Sequence, residues 1–191
     1  MKYRDLSVSF LFAMSLASFA GPSSAADFFS FQENHQWNSF VAKSQDEKPV
    51  AFATTDTNDA FLAVRVTKQG YGLRLFCADA RVDEGGSLLN FEAQADGAPE
   101  FNAIAKAHNS GDFLVTEVPG GLGDMFLTYC KTGQSLRIKV YADDPADSVI
   151  YRFSLRGFKA SFERARKLAV SGTQAKGYAR KQELLSNADF F

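Results

Sequence analysis

Cys77, Cys130, His35 and His108 are the side chains of this 191-residue sequence best suited to nucleophilic, redox or metal chemistry. A catalytic thiol needs a base beside it, and a thiol–disulfide enzyme needs the Cys-x-x-Cys spacing. The two cysteines lie 53 residues apart, and neither histidine is near them in sequence. A zinc site needs three or four ligands at suitable spacing. Two isolated histidines with two distant cysteines do not supply it, so no metal or other cofactor is expected. No Gly-x-Ser-x-Gly elbow is present to mark a hydrolytic serine. The acidic clusters Thr55–Asp59 and Asp143–Asp147 lack the twelve-residue calcium-loop pattern and read as turns. The glycine-rich stretch Pro119–Asp124 lacks the Lys-Ser/Thr of a phosphate loop and reads as a tight connection.

The compartment follows from the first 26 residues. Lys2 and Arg4 precede an uncharged run, Leu6–Ala20, which Gly21-Pro22 ends. Small residues at Ser24-Ala25-Ala26 offer a cleavage site. This is the pattern of a secretory signal peptide. The run is too short for a membrane span, which takes about 20 residues. Residues 1–26 are therefore expected to be removed near Ala26, leaving a periplasmic protein with no transmembrane segment. An oxidising compartment permits a disulfide between Cys77 and Cys130. Both also align with apolar neighbours, which suits two buried free thiols.

The formal net charge is −1, which argues against a general nucleic-acid binder. That sum hides an asymmetry. Residues 27–151 carry 10 basic and 18 acidic side chains, whereas residues 152–181 carry nine basic and one acidic. In that basic region Arg164, Lys167, Lys176, Arg180 and Lys181 are candidates to meet an anionic partner, either an acidic envelope protein or an anionic envelope surface. The alternative is a solvated face beside an acidic body.

The elements that must carry these residues are mainly strands. Period-2 alternation marks 60–68, 71–78, 135–142 and 148–156, with 37–42, 49–54, 88–94 and 112–118 as further candidates. The short turn at Gly70 makes 60–68 and 71–78 a hairpin. The period then changes. Phe158, Phe162, Ala165 and Ala169 share one helical face, so 158–170 reads as an amphipathic helix closed by Gly172. A short helix at 122–132 would align Phe126, Leu127 and Cys130, and residues 99–108 read as a helical turn. The predicted fold is mostly β: an antiparallel β-sandwich or open barrel with a C-terminal amphipathic helix. Residues 27–170 form the single β-rich domain, and 171–191 form a polar tail. Phe is over-represented, with 19 residues. The aromatic stretch Asp27–Phe40 and the pair Phe190-Phe191 either join the core or form an interaction surface. Gln182–Asp189 does not alternate as an outer-membrane strand would.

The pattern Y-R-F-S-L-R-G-F-K-A-S-F at Tyr151–Phe162, after the strand Ser135–Ala142, resembles the C-terminal part of the invasion-associated locus B family. It is also similar to the periplasmic type VI secretion-associated family, and the best-matching residues are Ser154-Leu155-Arg156-Gly157-Phe158. The chain departs from both families in its cysteines. The resemblance implies a small exported β-rich protein and carries over no catalytic residue. The expectation is a periplasmic, non-enzymatic interaction protein supporting envelope integrity, secretion or host association. A small-ligand or lipid-binding module is the second reading, and an envelope hydrolase the third.

Overall fold

The computed structural model describes residues 27–43, 48–78, 86–110, 113–141 and 148–171. Ten strands are present: β1 Asp27–Asn34, β2 Trp37–Lys43, β3 Val50–Asp56, β4 Ala60–Val66, β5 Tyr71–Ala78, β6 Ser87–Ala95, β7 Phe101–Ser110, β8 Phe113–Val118, β9 Ser135–Tyr141 and β10 Val149–Ser154. Helix α1 spans Gly123–Thr132 and helix α2 spans Phe158–Ser171. All strands join one antiparallel sheet in the order β1-β2-β3-β4-β5-β8-β7-β6-β9-β10. The sheet is open, and the fold is mostly antiparallel β with a C-terminal helix, as the alternation implied.

The two non-consecutive neighbours, β5 with β8 and β6 with β9, shape the molecule. Strands β1–β5 form a meander, and β6–β8 form a second meander running back to β5. Helix α1 then carries the chain to β9, on the far side of β6. The sheet curls so that its ends meet: Trp37 Nε1 on β2 donates to Ser154 O on β10 at 2.7 Å. The Gln36 amide likewise donates to Arg156 O at 3.3 Å. The inner face forms one core drawn from β2 through β10 and both helices, including Trp37, Leu62, Leu75, Phe91, Phe126, Ile138, Phe153 and Phe158.

Helix α2 lies mainly on β2 and β3. Small inward residues, Ser39 on β2 and Ala51 and Ala53 on β3, let it approach, and Ser161 and Ala165 are its own buried small residues. Phe158 and Phe162 fill the space beside Trp37 and Tyr71, with ring centroids 4.7 Å apart for Trp37–Phe158 and 6.2 Å for Tyr71–Phe162. The helical face read from the sequence is the one buried at Phe158, Phe162 and Ala165.

One expectation is corrected, and one strand appears that the alternation did not mark. Residues 99–108 do not form a helical turn, because Phe101–Ser110 is a strand. Ala105 and Ala107 point inward and are buried, while Asn102, Ile104 and Lys106 between them are exposed. Small alanines disguised this period of 2, and Phe101, Ile104, Ala105 and His108 happened to mimic a helical stripe. The stretch Asp27–Asn34 is also a strand, β1. Its register shifts between Phe29 and Gln32, with Ser30 at φ 55°, so strict alternation is lost there.

Candidate functional site: a phenylalanine-rich sheet face

Because successive strand residues alternate faces, the inward residues of β2–β5 specify which residues point outward. An outer sheet face in water is ordinarily polar. On β6, β7 and β9 it is: Asn90, Glu92, Asn102, Lys106, His108, Arg137 and Lys139 lie there, with exposed Leu88 and Ile104 among them. On β1–β5 and β8 it is not. Phe40, Ala42, Val50, Phe52, Ala63, Phe76 and Val115 form a second apolar cluster, with Phe28, Phe61 and Phe113 packed against it. Phe31 stacks on Phe40 at a centroid distance of 6.4 Å.

This cluster is an ordered ladder. Phe40 and Phe52 are cross-strand partners, stacked at 5.6 Å. Phe61 and Phe76 are partners in an edge-on arrangement, also at 5.6 Å. Phe28 meets Phe40 edge-on at 5.6 Å. Such pairs add about 0.5–1.5 kcal/mol each beyond area burial. The ion pair of Arg74 on β5 with Glu117 on β8, 3.3 Å apart, marks the border with the polar half. Phe52 is 0% exposed and Phe40 1% exposed. Yet both helices pack on the inner face, and among the described residues no helix or strand lies over the ladder.

The sequence reading missed this surface, although a signal was present. Phe40, Phe52, Phe61 and Phe76 fall on the strand positions between the inward ones, where a solvated strand carries polar residues.

The other candidate residues are dispersed. The expected disulfide is not formed: Cys77 and Cys130 are separate buried thiols. Alternation correctly turned Cys77 inward on β5, and the helical stripe turned Cys130 inward on α1, but the two meet different neighbours. The Cys77 thiol shares a hydrogen bond with the Tyr151 hydroxyl, while Cys130 lies near Tyr71. Burial pushes the Cys77 thiol up to about 11 and the Cys130 thiol up to about 12, which leaves both protonated and unreactive at neutral pH. His35 sits in the β1–β2 turn at φ 59°, and His108 is exposed on β7. Among the described residues no group of three or more His, Cys, Asp or Glu is placed to hold a metal ion.

Of the acidic stretch, Thr55 and Asp56 end strand β3 and only Thr57–Asp59 form the turn to β4, in which Thr57 Oγ1 accepts from the Ala60 amide at 3.1 Å. Residues 142–147, which contain the second acidic cluster, lie outside the described residues. The glycine-rich stretch is the tight connection expected. The Tyr71 hydroxyl donates to Gly123 O and accepts from the Leu122 amide, both at 2.9 Å, pinning the entry to α1. Gly121 there has φ 62° and faces the Tyr71 ring.

Of the basic residues, Arg164 is half-buried and donates to Ser39 O and Ser39 Oγ at 3.2 and 3.1 Å. It holds α2 to β2. Lys167 is exposed, as are Lys159 and Arg166. Lys176, Arg180 and Lys181, like the signal segment 1–26, lie outside the described residues. Among the described residues no helix is long and apolar enough to cross a membrane. Comparisons with protein-family models, curated proteins and solved structures give no match to this chain.

Proposed function

We propose that this chain is an exported, non-enzymatic docking protein of the bacterial envelope, and that the phenylalanine ladder on the outer face of β1–β5 and β8 is its docking surface. The observation that carries this reading is a sheet face built of seven phenylalanines at positions where a solvated strand would carry polar side chains. The centre of that face is buried within the chain, and its rim, half-buried Phe28, Phe61 and Phe113 with Phe31 at 40% exposure, is the part that would meet another macromolecule. Aromatic rings suit that use, because they supply broad contact area at low entropic cost.

The inner face supports the same reading over that of a small-ligand binder. It is occupied by ring-on-ring packing, with Phe101–Phe126 at 5.4 Å and Phe158–Phe162 at 5.6 Å filling the concave side. The signal-like start and the likeness of Ser154–Phe158 to small exported β-rich families support the compartment.

Affinity capture from cross-linked envelope tests this reading. Phe61→Ser and Phe113→Ser alter half-buried rim residues of the ladder and should lower recovery of the captured partner at least fivefold at a temperature where both variants remain folded. Equal recovery from the variants and the parent would refute the assignment.

A further inference from the structure

We propose that the outer edge of β10, at Ile150 and Arg152, is a strand-addition site for an extended acidic peptide, which sets an acidic side chain beside Arg152 and an apolar one beside Ile150. The site lies apart from the phenylalanine ladder and goes beyond the reading of that face.

The two edge strands of the sheet are β1 and β10. An edge strand presents unpaired backbone N–H and C=O groups, which bulges or charges usually blunt. Strand β1 is blunted, because its register shifts between Phe29 and Gln32 at the left-handed Ser30. Strand β10 pairs with β9 in unbroken register from Val149 to Ser154, and among the described residues no strand lies on its other side. Successive residues of an antiparallel strand turn their backbone groups to opposite sides. The Leu155 amide donates toward β9, to Gln134 O at 2.8 Å, whereas Ser154 O accepts from Trp37 Nε1 on the outer side. By the same alternation the N–H and C=O of Arg152 and Ile150 face outward. The β1–β2 hairpin takes Ser154 O and Arg156 O. The rungs at Arg152 and Ile150 are the ones it leaves for an added strand.

The side chains define the occupant. Val149 and Ile150 are 46% and 45% exposed, one on each face of the strand, so an added strand meets apolar surface there. Arg152 is exposed and lies directly opposite Arg137, with Lys139 on the next rung of the same face. Glu100 neutralises Arg137 at 2.8 Å, and Lys139 sits over the Tyr141 ring at 4.1 Å. Among the described residues no carboxylate pairs with Arg152. Like charges directly opposite are destabilising in a sheet and opposite charges stabilising, so the edge side of Arg152 favours an acid. A second copy answers this poorly. Two-fold pairing of β10 about Ile150 or Tyr151 sets Arg152 opposite Ser148 or Ile150, and it brings two Arg137–Arg152 pairs together. An antiparallel strand with an acidic residue opposite Arg152 and, two residues on, an apolar residue opposite Ile150 satisfies both positions.

Amide chemical-shift mapping of the isotope-labelled exported protein, produced from the full chain, tests the site. The probes are the blocked peptides Thr-Ser-Glu-Thr-Val-Thr-Ser and Thr-Ser-Lys-Thr-Val-Thr-Ser. The Glu peptide should shift the Ile150 and Arg152 amides and bind roughly fivefold tighter than the Lys peptide. In Arg152→Glu the preference should reverse, which the loss of a merely structural arginine would not produce. Ile150→Pro removes an outward donor and leaves the ladder with β9 intact. It should abolish binding of both peptides at a temperature where the variant remains folded. Equal binding of the two peptides, an unreversed preference in Arg152→Glu, shifts confined to other strands, or no shift at about millimolar peptide would overturn the proposal. So would inorganic phosphate reproducing the Glu-peptide shifts, which would make the site a simple anion patch. Shifts of Ile150 and Arg152 that grow with protein concentration alone would make β10 a self-pairing edge and overturn it as well.

Discussion

The two thiols and one glycine show how single side chains act here. Cys77 and Cys130 are neutral because burial disfavours the thiolate, which raises both above their ordinary value near 9. A folded-state value raised above the unfolded one contributes stability that is complete below pH 9. That stability is lost as pH climbs through about 11 and 12. The melting temperature should therefore fall between pH 9 and 11, and the Cys77→Ala/Cys130→Ala double variant should show a shallower fall. Mass spectrometry without reductant should find two alkylatable thiols after denaturation and almost none before it. Gly157 is the other case. It joins β10 to α2 at φ 99°, and a Cβ there would collide with the Asn34 carbonyl at the end of β1. Gly157→Ala should cost more than about 3 kcal/mol, read by denaturant titration or by loss of soluble protein. The glycine of the Ser154–Phe158 motif is thus required where the two ends of the sheet meet.

Helix α2 separates structural from available cations within one basic stretch. Arg164 spends its guanidinium on Ser39, so Arg164→Gln should destabilise by about 1–2 kcal/mol. The exposed Lys167→Gln should change stability by less than about 0.5 kcal/mol. Thermal melts of the two variants check both statements, and equal effects would contradict the assignment. Composition alone could not make this division. The helical period identified which residues line the buried stripe, Phe158, Phe162 and Ala165. It could not show that a cation at the stripe's margin would find Ser39, because that contact spans 125 residues. The misreading of β7 has the same origin. Beyond Phe101 its inward face is made of alanines, whose weak hydrophobic contrast let a chance spacing imitate a helix.

Over the whole molecule, the curled sheet is held where its ends touch. Trp37 is fully buried, its indole nitrogen bonded to Ser154 and its ring against Phe158. Trp37→Phe removes that hydrogen bond and leaves a void. It should cost about 2–4 kcal/mol, measured by chemical denaturation, with helical and strand signals kept in the folded baseline. The charge distribution also has a structural counterpart. The basic region begins at the end of β10 and runs into α2, which lies against the acidic strand body, and Lys131–Glu163 joins the two helices. The strands β2–β5 are sandwiched between an inner core and an outer phenylalanine ladder, so a mostly β protein of this size buries both faces of half its sheet.

The sequence by itself determined what is local: the alternating strands at 60–66 and 71–78, the helices near 123–132 and 158–171, and the inward aim of Cys77 and Cys130. Side-chain direction follows backbone period, so a face can be read within one element. Only the tertiary structure decided which elements became neighbours. The pairings of β5 with β8 and β6 with β9, the separation of the two thiols, the capture of Arg164 by Ser39, and the gathering of Phe28, Phe40, Phe52, Phe61, Phe76 and Phe113 onto one outer face all depend on sheet order and register. These are contacts between distant segments. They are selected by how the whole chain fills its core, so no window of sequence contains them.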